Sequence, residues 1–325
     1  MAQSLFLARR APGRPMRTHG ASTMSKTAAD ILIDTAVSWG VDTIFGLPGD
    51  GINGIMESLR KRQDKVRFIQ ARHEEAAAFM ACAYAKFTGK LGCCLATTGP
   101  GGVHLLNGLY DAKFDGAPVL AITGLPYQDL NQTFTQQDVD HTRLFQDAVE
   151  YSAAVFSAAH VENAVSLACR TALARRGVGH IAIPVDVQDQ TLDEAEPSPR
   201  NKPHHVTPAY AEGAHEPTAE AVRAAAAVLN AGKKVVILAG QGALDAGEEL
   251  LRTAELLGAP VAKALLGKGV LPDGHPHVTG GVGYLGTRPS QKALAECDTL
   301  LIVGSAFPYI EYYPEPGKAR AAAIA

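Results

Sequence analysis

The chain alternates between stretches with helical spacing of apolar residues and short runs that are apolar throughout. Ile31, Leu32, Ala36 and Val37 recur at helical spacing over 28–39, and Gly40 ends the stretch. The run 41–45 predicts a short strand, and GLPGDG (46–51) turns it into a helix over 52–60. Residues 66–69 predict a strand, followed by a helix within QARHEEAAAFMACAY (70–84). The small-residue strand 92–96 runs into TTGPGG (97–102), which opens a helix over 104–112. Strands are predicted at 118–123, 151–155 and 180–184, with a helix at 161–175 between the last two. Strands that are apolar from end to end and alternate with helices predict a parallel sheet covered on both faces.

The pattern breaks at 187–217, where charges, prolines and the paired His204 and His205 suggest a solvated linker; its domain-level bounds are taken as 191–217. A second unit follows: helix 218–229, strand 234–239, turn 240–242, helix 246–257, strand 261–265, a glycine-rich loop 267–286, helix 291–296 and strand 299–303. PEPGKARAAAIA (314–325) reads as the approach to another strand, so the second domain is expected to end mid-fold and the chain to be a fragment of a longer protein. The expected fold class is α/β, with two doubly wound parallel-sheet domains at 24–190 and 218–325.

Composition narrows the function classes. The 325 residues are 46% hydrophobic and 19% charged, which suits a globular protein with large cores. A net charge of −3 offers no basic field for nucleic acid or anionic lipid. No apolar run is long enough to span a membrane. The five cysteines (Cys82, Cys93, Cys94, Cys169, Cys297) have no CxxC spacing, so disulfide or metal use is not expected and a reducing cytoplasm fits. Residues 1–23 carry Arg9, Arg10, Arg14 and Arg17 and no acid. They read either as a leader or as a misassigned start, since Met24 opens a clean domain pattern.

Candidate chemistry centres on the helix within 70–84. Glu74 and Glu75 sit where a first helical turn favours negative charge. The run behind them, Ala76 to Ala83, is too apolar for a surface helix, so a buried helix is expected. A carboxylate at the mouth of a buried helix is costly unless paired; the plainer alternative is two solvated acids that stabilise the dipole. Three strand-to-helix loops carry glycine: GLPGDG, TTGPGG and GQGAL (240–244). Such loops gather at the carboxyl edge of a doubly wound sheet, where backbone approaches ligands closely, though glycine is also ordinary turn chemistry. None fits the dinucleotide pattern: after Gly240 and Gly242 the third-glycine place holds Asp245.

Together these motifs resemble the thiamine diphosphate enzymes of the pyruvate oxidase and acetolactate synthase group. The resemblance rests on FGLPG (45–49), RHEEAAAFMA (72–81), GCCLATTGPGGVHLLNGLYDA (92–112), PVLAITG (118–124), GHIAIPVDV (179–187), ILAGQGAL (237–244), LLGKGVLPDGHP (265–276) and GSAFPY (304–309). It implies that Glu74, the first acid after Arg-His, is the catalytic glutamate. In this group a carboxyl at that place favours the imino form of the cofactor's pyrimidine, which takes the proton from the thiazolium carbon before a 2-oxo acid is attacked. A glutamate whose pKa is raised by an apolar wall would suit that exchange. The resemblance also places Pro48, Gly49, Thr98, Gly99 and Pro100 against thiamine diphosphate, with His104 and Asn107 facing it from the following helix. His104 as a helix-start residue bonding backbone is the alternative. Gln137, in QQDVD (136–140), aligns with a glutamine that faces the active site, or is a polar loop residue.

In the same group the middle domain of pyruvate oxidases and acetolactate synthases binds FAD. That places Gly240, Gly242, Gly283, Gly286 and Thr287 near a flavin, with plain glycine packing as the alternative. The group's magnesium motif, Gly-Asp-Gly followed by a distant asparagine, belongs to a third domain. The GDG at 49–51 lies in the wrong loop, so Asp50 is read as a turn residue, no metal ligand is assigned, and the magnesium site is expected outside this chain. The resemblance implies a homodimer or homotetramer acting on a small 2-oxo acid, pyruvate foremost, and a chain that is inactive alone. LLNGLYDA (105–112) and LLGKGVLPDGHP lean toward pyruvate oxidase or quinone-linked pyruvate dehydrogenase. The rivals are an acetolactate synthase large subunit and a non-catalytic α/β cofactor-binding module.

Overall fold

The computed structural model describes residues 25–202, 206–208, 216–306, 314 and 317–324. The expectations for residues 1–23, for His204 and His205, and for part of 304–309 lie outside the described residues. The chain divides into two units between Glu212 and Gly213.

In the first unit the elements are α1 (Ala28–Ser38), β1 (Thr43–Gly46), α2 (Asn53–Lys61), β2 (Arg67–Gln70), α3 (Glu74–Thr88), β3 (Gly92–Ala96), α4 (Pro100–His104), α5 (Leu106–Phe114), β4 (Val119–Leu125), α6 (His141–Leu144), β5 (Tyr151–Ala154), α7 (Ala158–Arg175), β6 (Val178–Pro184) and α8 (Val185–Gln188). Six parallel strands lie in the order β2-β1-β3-β4-β6-β5. Two apolar clusters cover them. One joins α1, α2 and α7 to one face, through Leu32, Ile33, Ile55, Val161, Val165 and Ile181. The other joins α3 and α5 to the opposite face, through Ala77, Ala78, Ala81, Leu109, Val119 and Phe145. The doubly wound parallel sheet expected from the apolar runs is therefore present. Because β2, β1, β3 and β4 are successive neighbours, the loops that follow them emerge side by side at one edge.

Three expectations for this unit are corrected. The helix expected over 104–112 is two helices, α4 and α5, which meet at Leu105. Pro100 starts α4 and Gly99, at φ +53°, sets its direction. The helix over 74–88 is only half buried. Ala77, Ala78, Ala81, Cys82 and Ala85 face inward, whereas Phe79, Met80 and Phe87 are exposed, because the small side chains bring the helix close to the sheet and turn the large ones out. Residues 187 and 188 are not solvated linker: Val187 and Gln188 are fully buried. The Gln188 amide donates to the Gly51 carbonyl at 2.8 Å, tying down the 46–51 loop.

The second unit comprises α9 (Ala219–Asn230), β7 (Val235–Ala239), α10 (Gly247–Leu257), β8 (Val261–Lys263), β9 (Val278–Gly281), α11 (Arg288–Glu296), β10 (Thr299–Val303) and β11 (Arg320–Ile324). Its five parallel strands lie in the order β11-β10-β7-β8-β9. The strand whose approach was read at the end of the sequence is β11, paired along β10. The glycine-rich stretch 267–286 is not all loop, because β9 lies within it as an edge strand with an irregular register against β8. The strand expected over 261–265 stops at Lys263 and gives way to a tight turn at 265–267.

Candidate active site

Glu74 is the first residue of α3. His73 caps the helix, its imidazole accepting from the Glu75 amide at 3.2 Å. The Glu74 side chain is 9% exposed, and one carboxylate oxygen lies 2.9 Å from His104 Nδ1. The other has no hydrogen-bond partner among the described residues. It faces the turn after β3, where a Cβ on Gly101 would stand 3.2 Å from it. The acid is thus buried at a helix mouth and paired, with one oxygen left toward a loop that only glycine leaves open. One turn on from His104, Asn107 donates to Glu75 at 2.9 Å.

The 97–102 turn is where the neighbouring loops meet. A Cβ on Gly49 would come within 2.5 Å of Thr97, one on Gly51 within 2.4 Å of Thr98, and one on Gly99 within 2.7 Å of Gln137. The Gly51 amide donates to Thr97 at 3.0 Å, and the Thr98 hydroxyl donates to the Gln137 side-chain oxygen. Gln137 itself holds φ +61°, a conformation that a non-glycine residue keeps only when its surroundings impose it. Pro48 and Pro100 are exposed at the rim. Glu74, His104 and Asn107 therefore lie on one side of the turn. Thr98 and Gln137 lie on the other, beside a cavity of about 330 Å³ that Gly51, Tyr127 and Val185 also line. Asp50 spends a carboxylate oxygen on the Gly51 amide at 2.9 Å, as a turn residue does.

His73, Glu74 and His104 bring donor atoms within 4.8 Å of one another, a donor set of the kind zinc accepts. The two rings, however, stack at 4.5 Å and 28°. A cation about 2.1 Å from one ring nitrogen, in that ring's plane, would lie well out of the plane of the other. As they stand, the rings act as a stacked pair and not as a chelate.

In the second unit a cavity of about 540 Å³ opens beyond β8 and β9, lined by Lys263, Ala264, Lys268, Thr279, Gly280 and Thr287 among others. Of the residues the resemblance placed near a flavin, only Thr287 lines it. Thr287 also caps α11 and donates to the Thr279 carbonyl at 2.5 Å. Gly240 and Gly242 instead back onto Gly304, leaving no room for a Cβ. Gly286 packs against the Gly281 and Gly283 carbonyls. A side chain at 240, 242 or 286 would therefore collide with backbone. Sequence reasoning missed Lys263, buried with its ammonium donating to the Leu271 carbonyl at 2.7 Å and to Asp273. It also missed Thr123, His141 and His180, which are fully buried behind the 97–102 turn. The only signal for these was a histidine inside an apolar strand run.

A parallel α/β sheet with an acid and two glycine-bearing turns, 46–51 and 97–102, gathered at its carboxyl edge defines a cofactor-binding unit of the doubly wound class. Residues 26–144 match the thiamine pyrophosphate enzyme N-terminal TPP binding domain, and 222–324 match the thiamine pyrophosphate enzyme central domain. The chain is 42% identical over 291 residues to the "Putative thiamine pyrophosphate-containing protein YdaP" of Bacillus subtilis (strain 168), covering 89% of this chain and 49% of that protein. It is 36% identical over 284 residues to the pyruvate oxidase of Lactiplantibacillus plantarum, covering 87% and 46%. An acetolactate synthase of Mycobacterium bovis is 33% identical over 284 residues, covering 86% and 45%. The chain belongs to the thiamine pyrophosphate enzyme family, and it spans about half the length of these relatives.

Proposed function

We propose that the chain forms the pyrimidine-binding and central parts of a thiamine diphosphate-dependent enzyme that decarboxylates a 2-oxo acid, pyruvate foremost, in the manner of a pyruvate oxidase. The observation that carries this is the Glu74 carboxylate: buried, held by His104 through one oxygen, and open beside Gly101 through the other. When bound, thiamine diphosphate supplies the nucleophilic carbon and the electron sink that decarboxylation needs. Glu74 would hold the cofactor's pyrimidine and be the group able to share a proton with it, with His104 fixing the rotamer from which it would do so. The glycines at 49, 99 and 101 would let backbone come close, and Gln137, whose side-chain oxygen accepts from Thr98, would meet the substrate from the cavity it lines. Asn107 positions the first turn of α3 by holding Glu75. FAD is assigned to the cavity beside Thr287, supported by its size and by its place beyond the strand ends. Magnesium is assigned to residues other than Asp50, whose carboxylate is engaged within its own loop. The active assembly is a homodimer or homotetramer.

The test is Glu74→Gln in the enzyme as its host makes it. The expected result is a folded protein whose pyruvate decarboxylation falls by roughly two to four orders of magnitude. Turnover within tenfold of the parent would end this reading. An acetolactate synthase is the second reading, supported by the 33% identity to that enzyme. Product analysis separates the two, with acetolactate in place of acetate or acetyl phosphate deciding for it.

A further inference from the structure

Behind the 97–102 turn, four side chains join into one line across three strands and a helix start. Ser152 Oγ on β5 lies 2.8 Å from His180 Nδ1 on β6. His180 Nε2 lies 2.9 Å from Thr123 Oγ1 on β4, and Thr123 Oγ1 lies 3.1 Å from His141 Nδ1 at the start of α6. His141 Nε2 lies 2.9 Å from the Gly99 carbonyl oxygen. Thr123, His141 and His180 are all fully buried.

The last contact fixes the direction of the whole line. A carbonyl only accepts, so His141 Nε2 carries hydrogen and donates. With neutral rings, His141 Nδ1 must then accept, and Thr123 donates to it. Thr123, having spent its one hydrogen, accepts from His180 Nε2. His180 Nδ1 accepts in turn, and Ser152 donates. Each hydroxyl donates once, each imidazole is the Nε2–H tautomer, and no buried polar atom in the line is left over. Burial holds both rings neutral: it lowers His141 despite the Gly99 and Gly124 backbone and nearby Asp140, and it lowers His180 to about 3, with His141 adding to the effect. Phe145 packs against both rings, at 5.6 Å and 4.5 Å between centroids.

The line ends on a residue that cannot hold its own shape cheaply. Gly99 sits at φ +53°, ψ −120°, a region open to glycine alone. A Cβ on Gly102 would stand 2.3 Å from the His141 ring, so the imidazole also sets where α4 begins. We propose that Ser152, His180, Thr123 and His141 form a directed positioning line, with His141 the positioning residue that holds the Gly99 carbonyl from behind and thereby shapes the turn for thiamine diphosphate. Its last clause rests on the thiamine diphosphate reading; the line itself does not.

The test has two readouts. Nitrogen NMR of histidine-labelled protein at neutral pH is expected to show His141 and His180 as neutral Nε2–H tautomers. Thr123→Val, which keeps the side-chain shape, is expected to shift both rings and mix the His141 tautomers. A wild-type Nδ1–H or cationic form of either ring overturns the line. The second readout is thiamine diphosphate titration of the enzyme as its host makes it. His141→Leu is expected to weaken binding about tenfold, as an orphaned buried carbonyl would, and His141→Gln, which restores a donor, to recover most of the loss. Should His141→Leu fail to fold, Thr123→Val carries the same comparison with a severalfold loss expected. Parent-like affinity in the folded variants, or a glutamine no better than leucine, overturns the inference. A wild-type protein that keeps the tautomer pattern but takes up no thiamine diphosphate overturns the functional reading and the binding clause, and leaves the line standing.

Discussion

Arg62 shows how far one side chain can commit two helices to each other. Its side chain is 11% exposed, and it forks onto Asp34 at 2.6 and 3.0 Å while reaching Asp30 at 2.6 Å and the Ser58 hydroxyl at 3.0 Å. Burial alone would raise the Asp34 carboxyl, but hydrogen bonds from Arg62 and then Lys26 outweigh it and bring the group to about 2. A carboxyl lowered on folding stabilises fully above its ordinary value and loses that contribution as pH falls through the folded value. Arg62→Met is therefore expected to cost about 2 kcal/mol at neutral pH, below the full cost of a deeply buried pair because Asp34 is 27% exposed. In urea denaturation the gap between parent and variant should narrow as pH falls from 4 toward 2; a gap that stays constant would contradict the assignment. The sequence did not disclose this cluster, since Arg62 lies 28 and 32 positions from Asp34 and Asp30 and becomes their partner only when α1 and α2 pack together. Glu74 was legible as an acid opening an apolar run, a local pattern. Its contact with His104, thirty positions on, was not, because that depends on how α4 leaves the β3 turn. His141 and His180 were hidden for the opposite reason: buried polar groups satisfied by one another leave no mark on an apolar pattern.

At the scale of elements, the packing of α3 on α5 places Glu74 against the turn. Gly108 on α5 makes that approach possible, since a Cβ there would meet the Ala78 Cβ at 2.5 Å and the Phe79 backbone nitrogen at 2.6 Å. Gly108→Ala gains about 1 kcal/mol of helix propensity but must displace backbone, and overpacking of this kind costs roughly 1–3 kcal/mol. The second effect is expected to win, lowering the melting temperature by a few degrees. An unchanged or raised midpoint would show that α3 can move aside freely. Strands β3 and β10 coincide with the runs expected at 92–96 and 299–303, because both are continuous apolar stretches in mid-sheet. Strand β9 escaped notice because half of it is Gly280 and Gly281, poor strand formers at a sheet edge. The break at Leu105 escaped because leucine continues the helical pattern without interruption; its backbone stays helical at φ −64°, ψ −25°, and only the Leu105 amide, bonding the Gly102 carbonyl three residues back, marks where α4 gives way to α5.

At the scale of the whole molecule, the first unit leaves apolar surface that its own fold does not use. Phe87 is 91% exposed and Phe114 77%, while Phe79 and Met80 are 41% and 37% exposed. Met80 and Phe87 are seven positions apart, so they share a face of α3, and that helix begins at Glu74. Exposed apolar side chains grouped on one helix face mark an interaction surface, in contrast to the scattered ones every protein carries. A second copy of this chain is the expected occupant. The helix that carries this face also opens on Glu74 of the candidate site, and the net charge of −3 leaves little electrostatic repulsion between copies. In a two-fold interface each phenylalanine is buried twice, and burying one contributes about 1.5–3 kcal/mol. Phe87→Lys is therefore expected to weaken self-association by two orders of magnitude or more, read by sedimentation equilibrium across micromolar concentrations. The parent protein should sediment as a dimer or tetramer there, and the variant should dissociate with its far-ultraviolet circular dichroism unchanged. A parent that is monomeric at tens of micromolar, or a variant that associates as tightly as the parent, would assign this face to something other than a second copy.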